Sequence, residues 1–206
     1  MSEQKPENLH QKLEIAHQKP EIVDHQWVTH SRLFHVEQLD LRFSNGAERQ
    51  YERLNPGTHR AVMIVPMLDA ETVLLVKEYG AGIGDYYISL PKGAIHDGEE
   101  LFETADRELQ EEAGYGARRF TFLKELYLSP SYMGNHISVV LAEDLYEQSL
   151  PGDEPEPLQV IPCKLAELDQ LVAQQAVKEA YGIAALYLAK SYLAKRHFAE
   201  REQTPS

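Results

Sequence analysis

The alternation of hydrophobic and polar positions changes character twice along the chain. Up to about residue 26, apolar residues are scattered among Gln, Glu, Lys and His with few aromatics, the texture of a flexible or partner-dependent arm. From Arg32 the order becomes regular. RLFHVEQLDLRF and ERQYERLN flank Ser44-Asn45-Gly46-Ala47, and Asn-Gly between alternating segments predicts a β-hairpin. AVMIVPML (61–68) and TVLLVKEY (72–79) are continuous apolar, β-branched runs joined by Asp69-Ala70-Glu71, which predicts two adjacent strands deep in a sheet. YYISLPKG (86–93), FTFLKELYL (120–128), ISVVLAEDL (137–145) and LQVIP read as further strands, the last preceded by the irregular stretch SLPGDEPEP. From Leu165 to about Arg196 the period is helical. Leu165, Leu168, Leu171 and Val172, then Ile183, Leu186 and Tyr187, mark an apolar face, with a break near Gln175 that predicts two helices. The expected class is α+β: an α/β/α sandwich around one mixed, curved sheet, with an arm at 1–30, an N-terminal β-hairpin subdomain at 31–58 and the main domain at 59–200.

GAIHDGEELFETADRELQEEAGY, residues 93–115, departs from this plain pattern because it carries eight carboxylates and one cation, Arg107. Asp97-Gly98 predicts the turn that starts a helix, Asp97 and Glu100 have the spacing of a capping box, and Gly114 supplies the left-handed stop, so a helix is expected from Glu99 to Ala113. Leu101, Ala105 and Leu109 form its packing face. Glu108, Glu111 and Glu112 stand at i, i+3 and i+4, where like charges repel. An acidic helix face is usually just solvated, but three converging hard oxygen donors also suit Mg²⁺ or Mn²⁺. Arg107 lies four residues after Glu103 and eight after Glu99, within reach of either. Lys92-Gly93-Ala94, just before the helix, lets the backbone come close enough for a main-chain carbonyl of Gly93 or Ala94 to join such a site.

Composition narrows the partners. A net charge of −13 over 206 residues, with pI near 5.1, repels a phosphate backbone unless a local basic patch or bound metal intervenes, and so disfavours a nucleic-acid partner. The single cysteine, Cys163, has no second thiol for a disulfide or a zinc site and is expected to be a small buried hydrophobe, which fits a cytoplasmic setting. The polar N-terminus is unlike a signal peptide, and no segment approaches the roughly 18 apolar residues of a membrane span. The nine histidines lack metal-ligand spacing.

The spacing Gly93, Glu99, Arg107-Glu108, Leu109, Glu111-Glu112, Gly114, Tyr115 matches the Nudix box at every defined position, and the chain resembles the Nudix hydrolase superfamily, whose members cleave nucleoside diphosphates linked to another moiety. SRLFHVEQLDLRFSNG, AVMIVP, SLPKGAIHDGEE, LSPSY and SLPGDEPEPL extend the resemblance over about residues 31–196, toward members that act on ADP compounds. The resemblance implies hydrolysis of ADP-ribose, NADH or diadenosine polyphosphates with release of AMP. It implies Glu108 and Glu112 as principal Mg²⁺ (or Mn²⁺) ligands, supported by Glu111 and the Gly93/Ala94 carbonyl, and a substrate-side Pro130. It also implies an N-terminal subdomain exchanged within a homodimer. A general base is needed away from the metal helix; Gly152-Asp153-Glu154-Pro155-Glu156 offers one, and by similarity Glu154 is preferred to Glu156. The expected catalytic set is Glu154, Glu111 and Arg107. Tyr79, with Tyr86 and Tyr87, offers an aromatic face for adenine, and Arg53 and Lys92 are candidate phosphate contacts, although each type also occurs as core or solvent residue. Two other readings stand beside the hydrolase: a non-catalytic ADP-ribose-binding module, which has no need of the three converging acids, and a capped-RNA enzyme, which the net charge disfavours.

Overall fold

The computed structural model of the chain describes residues 18–54 and 60–202, with side chains to residue 199. They fall into two compact units divided near residue 56.

The N-terminal unit is a three-stranded antiparallel sheet in the order β1 (Glu21–His30), β2 (His35–Arg42), β3 (Glu48–Leu54). The expected hairpin is β2–β3. Its turn closes through Phe43 N–H to the Ala47 carbonyl at 2.9 Å, with Asn45 Oδ1 accepting from Ala47 N–H and Gly46 at φ +82°. β1 is a difference from expectation. The stretch read as an arm becomes a strand from Glu21 onward, paired with β2 from Glu21–Arg42 to His30–His35. All ten of its residues are exposed, so it carries no buried alternation by which to announce itself. The rest of the expected arm, residues 1–17, lies outside the described residues. Ser131–Met133 also belong to this unit, where the Tyr132 carbonyl accepts from Leu54 N–H at 2.7 Å.

The second unit runs β4 (Arg60–Pro66), β5 (Thr72–Gly80), β6 (Asp85–Ser89), β7 (Lys92–Ala94), α1 (Leu101–Glu112), β8 (Tyr115–Tyr127), β9 (His136–Glu147) and β10 (Gln159–Lys164). A 3₁₀ turn, α2 (Leu168–Ala173) and α3 (Ala180–Glu202) follow. The single sheet expected here is two: a mixed four-stranded sheet β7-β4-β9-β8, in which β4 and β9 are parallel, and a three-stranded antiparallel sheet β10-β5-β6. β4 and β5 are therefore not sheet neighbours. Asp69 Oδ1 accepts the N–H groups of Glu71 and Thr72 in a tight turn, and only the bridge Met67–Val73 joins the two runs before β5 enters the other sheet. YYISLPKG likewise splits. Pro91 has no N–H to continue the ladder, β6 stays with β5, and β7 crosses to β4 while the Pro91 carbonyl accepts from Ile64 N–H at 2.8 Å.

The continuous apolar runs are explained by burial on both faces. Val62, Ile64, Val140 and Ala142 pack with Ala105, Leu109 and Ala113 of α1, whereas Met63, Val65, Val139 and Leu141 face Leu75, Leu186 and Ala189. The expected α1 face thus forms. The break near Gln175 is confirmed, with Gln175 at φ +57°. Arg196 anchors α3 to the sheet by two bonds, of 2.8 and 2.7 Å, to the buried Glu143 carboxylate. The guanidinium holds that carboxyl below the usual carboxylate range.

Candidate active site

The site is assembled where β7 leads into α1. Gly98 takes φ +88° in the turn before the helix and Gly114 takes φ +74° just after it, as the spacing required. The N-terminus lies slightly later than expected. Glu100 is the N-cap and Glu103 reaches back to accept from its N–H at 3.3 Å, so the box is Glu100–Glu103 rather than Asp97–Glu100. Glu99 is left free to do something else, and it takes Arg107.

Arg107 is the hub. Its Nε and Nη2 bond Glu99 at 3.0 and 3.1 Å, its Nη1 bonds Glu108 at 2.7 Å and Glu111 at 2.9 Å, and Nη2 reaches the Ala94 carbonyl at 3.3 Å. The Arg107 bond, with help from the His96 N–H, lowers the Glu99 carboxyl to about 2. One guanidinium thus ties the loop, β7 and two of the three glutamates 108, 111 and 112.

Gly93 lies flat against Glu108. A Cβ built there would sit 1.9 Å from Oε1 and 2.0 Å from Cδ of that side chain. Only glycine lets the β7 backbone approach this carboxylate so closely. Glu108 is 8% exposed, and burial raises its pKa, opposed by Arg107 and assisted by the charges of Glu111 and Asp153.

Glu112 turns toward β7 instead of joining its neighbours. Its Oε2 accepts the Lys92 N–H at 3.0 Å, and burial, reinforced by the charges of Glu78 and Glu108 and opposed by Lys92, pushes its carboxyl up to about 8. The expected meeting of three carboxylates at one point is thus modified, because Glu108 and Glu111 share Arg107 while Glu112 takes a backbone donor. Among the described residues no three acidic or imidazole groups already gather as ligands around one point. The donor chemistry nevertheless fits a hard divalent ion. Buried Glu108 and half-buried Glu112 lie beside Arg107 and Lys92, Glu111 lies one turn along from Glu108, and the Gly93 backbone is pressed against the Glu108 carboxylate.

Lys92 Nζ is bonded to Glu78 and lies 5.6 Å from the Tyr87 ring centre, within this cluster. Tyr79 is not brought to it. Cross-strand pairing sets Glu78 beside Tyr87 and Tyr79 beside Tyr86, on opposite faces of β5–β6. Tyr79 meets Tyr86 edge-on at 5.4 Å. Arg53 belongs to the N-terminal unit, where its Nε bonds Glu37 at 2.6 Å. Pro130 is exposed at the end of the segment after β8. Glu154 is exposed and makes no hydrogen bond or ion pair among the described residues. Its loop, however, runs along α1: the Leu150 N–H donates to the Gln110 carbonyl at 3.2 Å, and a Cβ on Gly152 would lie 3.4 Å from the Glu111 carbonyl oxygen. Two acids were missed by sequence reasoning. Asp153, whose charge acts on Glu108, stands beside the chosen residue, and Glu78 is a strand residue whose pairing to Lys92 only the fold creates.

A glycine-backed strand end, an arginine-centred loop and a glutamate-bearing helix are together the parts expected of a Nudix-type hydrolase. Residues 57–187 match the NUDIX domain, and the chain belongs to the Nudix hydrolase family. Residues 20–53 match the NudE-type Nudix hydrolase N-terminal domain. The chain is 46% identical to the ADP compounds hydrolase NudE of Escherichia coli (strain K12) over 173 residues, 84% of this chain and 92% of that one. It is 31% identical to the ADP-ribose pyrophosphatase of Bacillus subtilis (strain 168), over 76% of this chain and 85% of that one. A crystal structure of an ADP compounds hydrolase superposes with a TM-score of 0.83 at 44% identity, covering 88% of this chain and 98% of that chain.

Proposed function

We propose that the protein hydrolyses the pyrophosphate bond of ADP compounds, namely ADP-ribose, NADH and diadenosine polyphosphates, in a reaction that depends on Mg²⁺ or Mn²⁺ and releases AMP. The observation that carries this reading is that buried Glu108 and half-buried Glu112 both lie against the β7 backbone. The names of the relatives supply the substrate class. Glu108 and Glu112 are the principal ligands, with Glu111 and the carbonyl of Gly93 or Ala94 in support. The bound cation would offset phosphate charge and supply Lewis acidity to the anhydride.

The chain's own residues do the rest. Arg107 orients Glu99, Glu108 and Glu111 and keeps the Ala94 carbonyl in line with them. Lys92 sets Glu112 through its N–H, while its ammonium, bonded to Glu78, keeps positive charge beside the acids. Glu154 takes a proton from the water that attacks phosphorus. The water oxygen–phosphorus bond forms as the bridging phosphorus–oxygen bond breaks, leaving AMP and a second phosphorylated product. Incubation of ADP-ribose with protein and Mg²⁺, followed by chromatography, should yield AMP, and EDTA should abolish it. Glu154→Gln should lower kcat by roughly 10²-fold. No AMP from any of the three compounds with either metal sinks the reading, and a normal kcat in the variant moves the base elsewhere.

The reading includes a homodimer in a cytoplasmic setting, with no nucleic-acid or membrane partner. The N-terminal sheet leaves Ile22, Trp27, Val28, Leu33 and Phe34 half-exposed or more, apolar side chains that a second copy would cover. Among the described residues no helix is long and apolar enough to cross a membrane. Sedimentation at micromolar concentration should give about twice the chain mass; a monomer there refutes the dimer.

A further inference from the structure

We infer that Tyr86 and Glu156 form a latch that holds the loop from Pro151 to Pro157 where its other carboxylates serve the hydrolysis, which makes Tyr86 a positioning residue. The inference rests on the proposed function and names a part that reading leaves out.

The loop is fastened at both ends. At its start, Gln148 N–H donates to the Gly114 carbonyl at 3.1 Å, the Gln148 side-chain amide donates to Gln110 Oε1 at 3.0 Å, and Leu150 N–H donates to the Gln110 carbonyl at 3.2 Å. Gly152 then lies against the Glu111 backbone. At its end, the chain enters β10 at Gln159, which pairs with Lys77 of β5. Between these points the loop carries three acids. Glu156 alone of them accepts a hydrogen bond among the described residues, from the Tyr86 hydroxyl. Pro155 and Pro157 flank Glu156 and restrict the backbone on either side, so little chain entropy opposes the bond.

The other half of the latch is also held in advance. Tyr79 packs edge-on against the Tyr86 ring at 5.4 Å, and Lys77 Nζ sits 5.5 Å from its centre. The phenol is raised above its ordinary value by its bond to the Glu156 carboxylate, as a donor to an anion should be. Glu156, engaged in this way, is not the acid that meets water. Asp153 and Glu154 remain, and Asp153 is near enough to α1 for its charge to act on Glu108. The aromatic pair that the sequence offered to adenine thus has a different task, which is to brace the loop.

Tyr86→Phe removes the hydroxyl and keeps the ring. It should lower kcat on ADP-ribose at saturating Mg²⁺ about tenfold, since small misplacement of a reacting group is costly, while KM and Tm stay unchanged. Amide exchange in residues 151–158 should quicken. Glu156→Gln, whose amide oxygen still accepts from the phenol, should keep kcat within about twofold, whereas Glu156→Ala should match Tyr86→Phe and the double variant should be no worse than either. Multiplying losses in the double variant, or a loss in Glu156→Gln as large as in Glu156→Ala, would show that Glu156 acts by itself and overturn the latch. Exchange is read without substrate or metal. If the wild-type protein hydrolyses nothing, the proposed function fails, and unchanged exchange in Tyr86→Phe separately defeats the latch.

Discussion

Glu112→Gln is expected to lower kcat on ADP-ribose at saturating Mg²⁺ by about 10³-fold while raising the melting temperature of the metal-free protein. The loss follows from the several kcal/mol that a properly held divalent ion contributes at a developing oxyanion. The gain follows from burial. Glutamine keeps an oxygen to accept from Lys92 N–H but removes a charge whose pKa the fold pushes from 4.5 up to about 8. A carboxyl raised in the folded state gives its full stability below its unfolded pKa, and that stability is lost as pH rises through the folded value. Metal-free wild-type protein should therefore weaken between pH 4.5 and about 8, and the variant should weaken less, keeping only the part that the raised Glu108 carboxyl contributes. At pH 8 the difference should be of the order of 4 kcal/mol, or roughly 8–16 °C in a protein of this length. Calorimetric melting in EDTA, paired with steady-state kinetics in Mg²⁺, checks both signs. A variant with wild-type kcat would remove Glu112 from the site.

Gly93→Ala should separate activity from stability in a different way. The new Cβ would lie 1.9 Å from Glu108 Oε1 and 2.3 Å from Oε2, an impossible contact. The obstructing atoms are the far end of a flexible side chain, so the fold can yield by swinging the carboxylate away, at about 1–3 kcal/mol. That movement takes Glu108 from its place beside Arg107 and the β7 backbone. A fall in kcat/KM of about 10²-fold and a weaker apparent Mg²⁺ affinity are expected, with the circular-dichroism melt shifted by only a few degrees. Unchanged kinetics would mean that close approach of β7 to Glu108 is not needed.

The box helix was legible because its signals are local. Asp97-Gly98 and Gly114 mark its ends by backbone chemistry, and Leu101, Ala105 and Leu109 mark its inner face by period. Its capping box was misplaced by three residues, since Glu100 and Glu103 satisfy the spacing as well as Asp97 and Glu100 do. β1 was not legible, because a fully exposed strand has no buried face to impose alternation. The division into two sheets was hidden for a related reason. Strands buried on both faces read alike whichever sheet they join, and the assignment turns on single events such as the Asp69 turn and the missing N–H of Pro91.

By itself, the sequence determined the succession of strand and helix segments after β1, the glutamates at 108, 111 and 112 on one helix, and the glycine that lets β7 come near Glu108. These depend on spacing and backbone conformation within a few residues. Only the tertiary structure decided that Arg107 chooses Glu99 over Glu103, that Glu78 meets Lys92, that Asp153 is felt by Glu108, and that Tyr86 takes Glu156. Such pairings join residues from separate elements, and their partners are set by how sheets and loops pack.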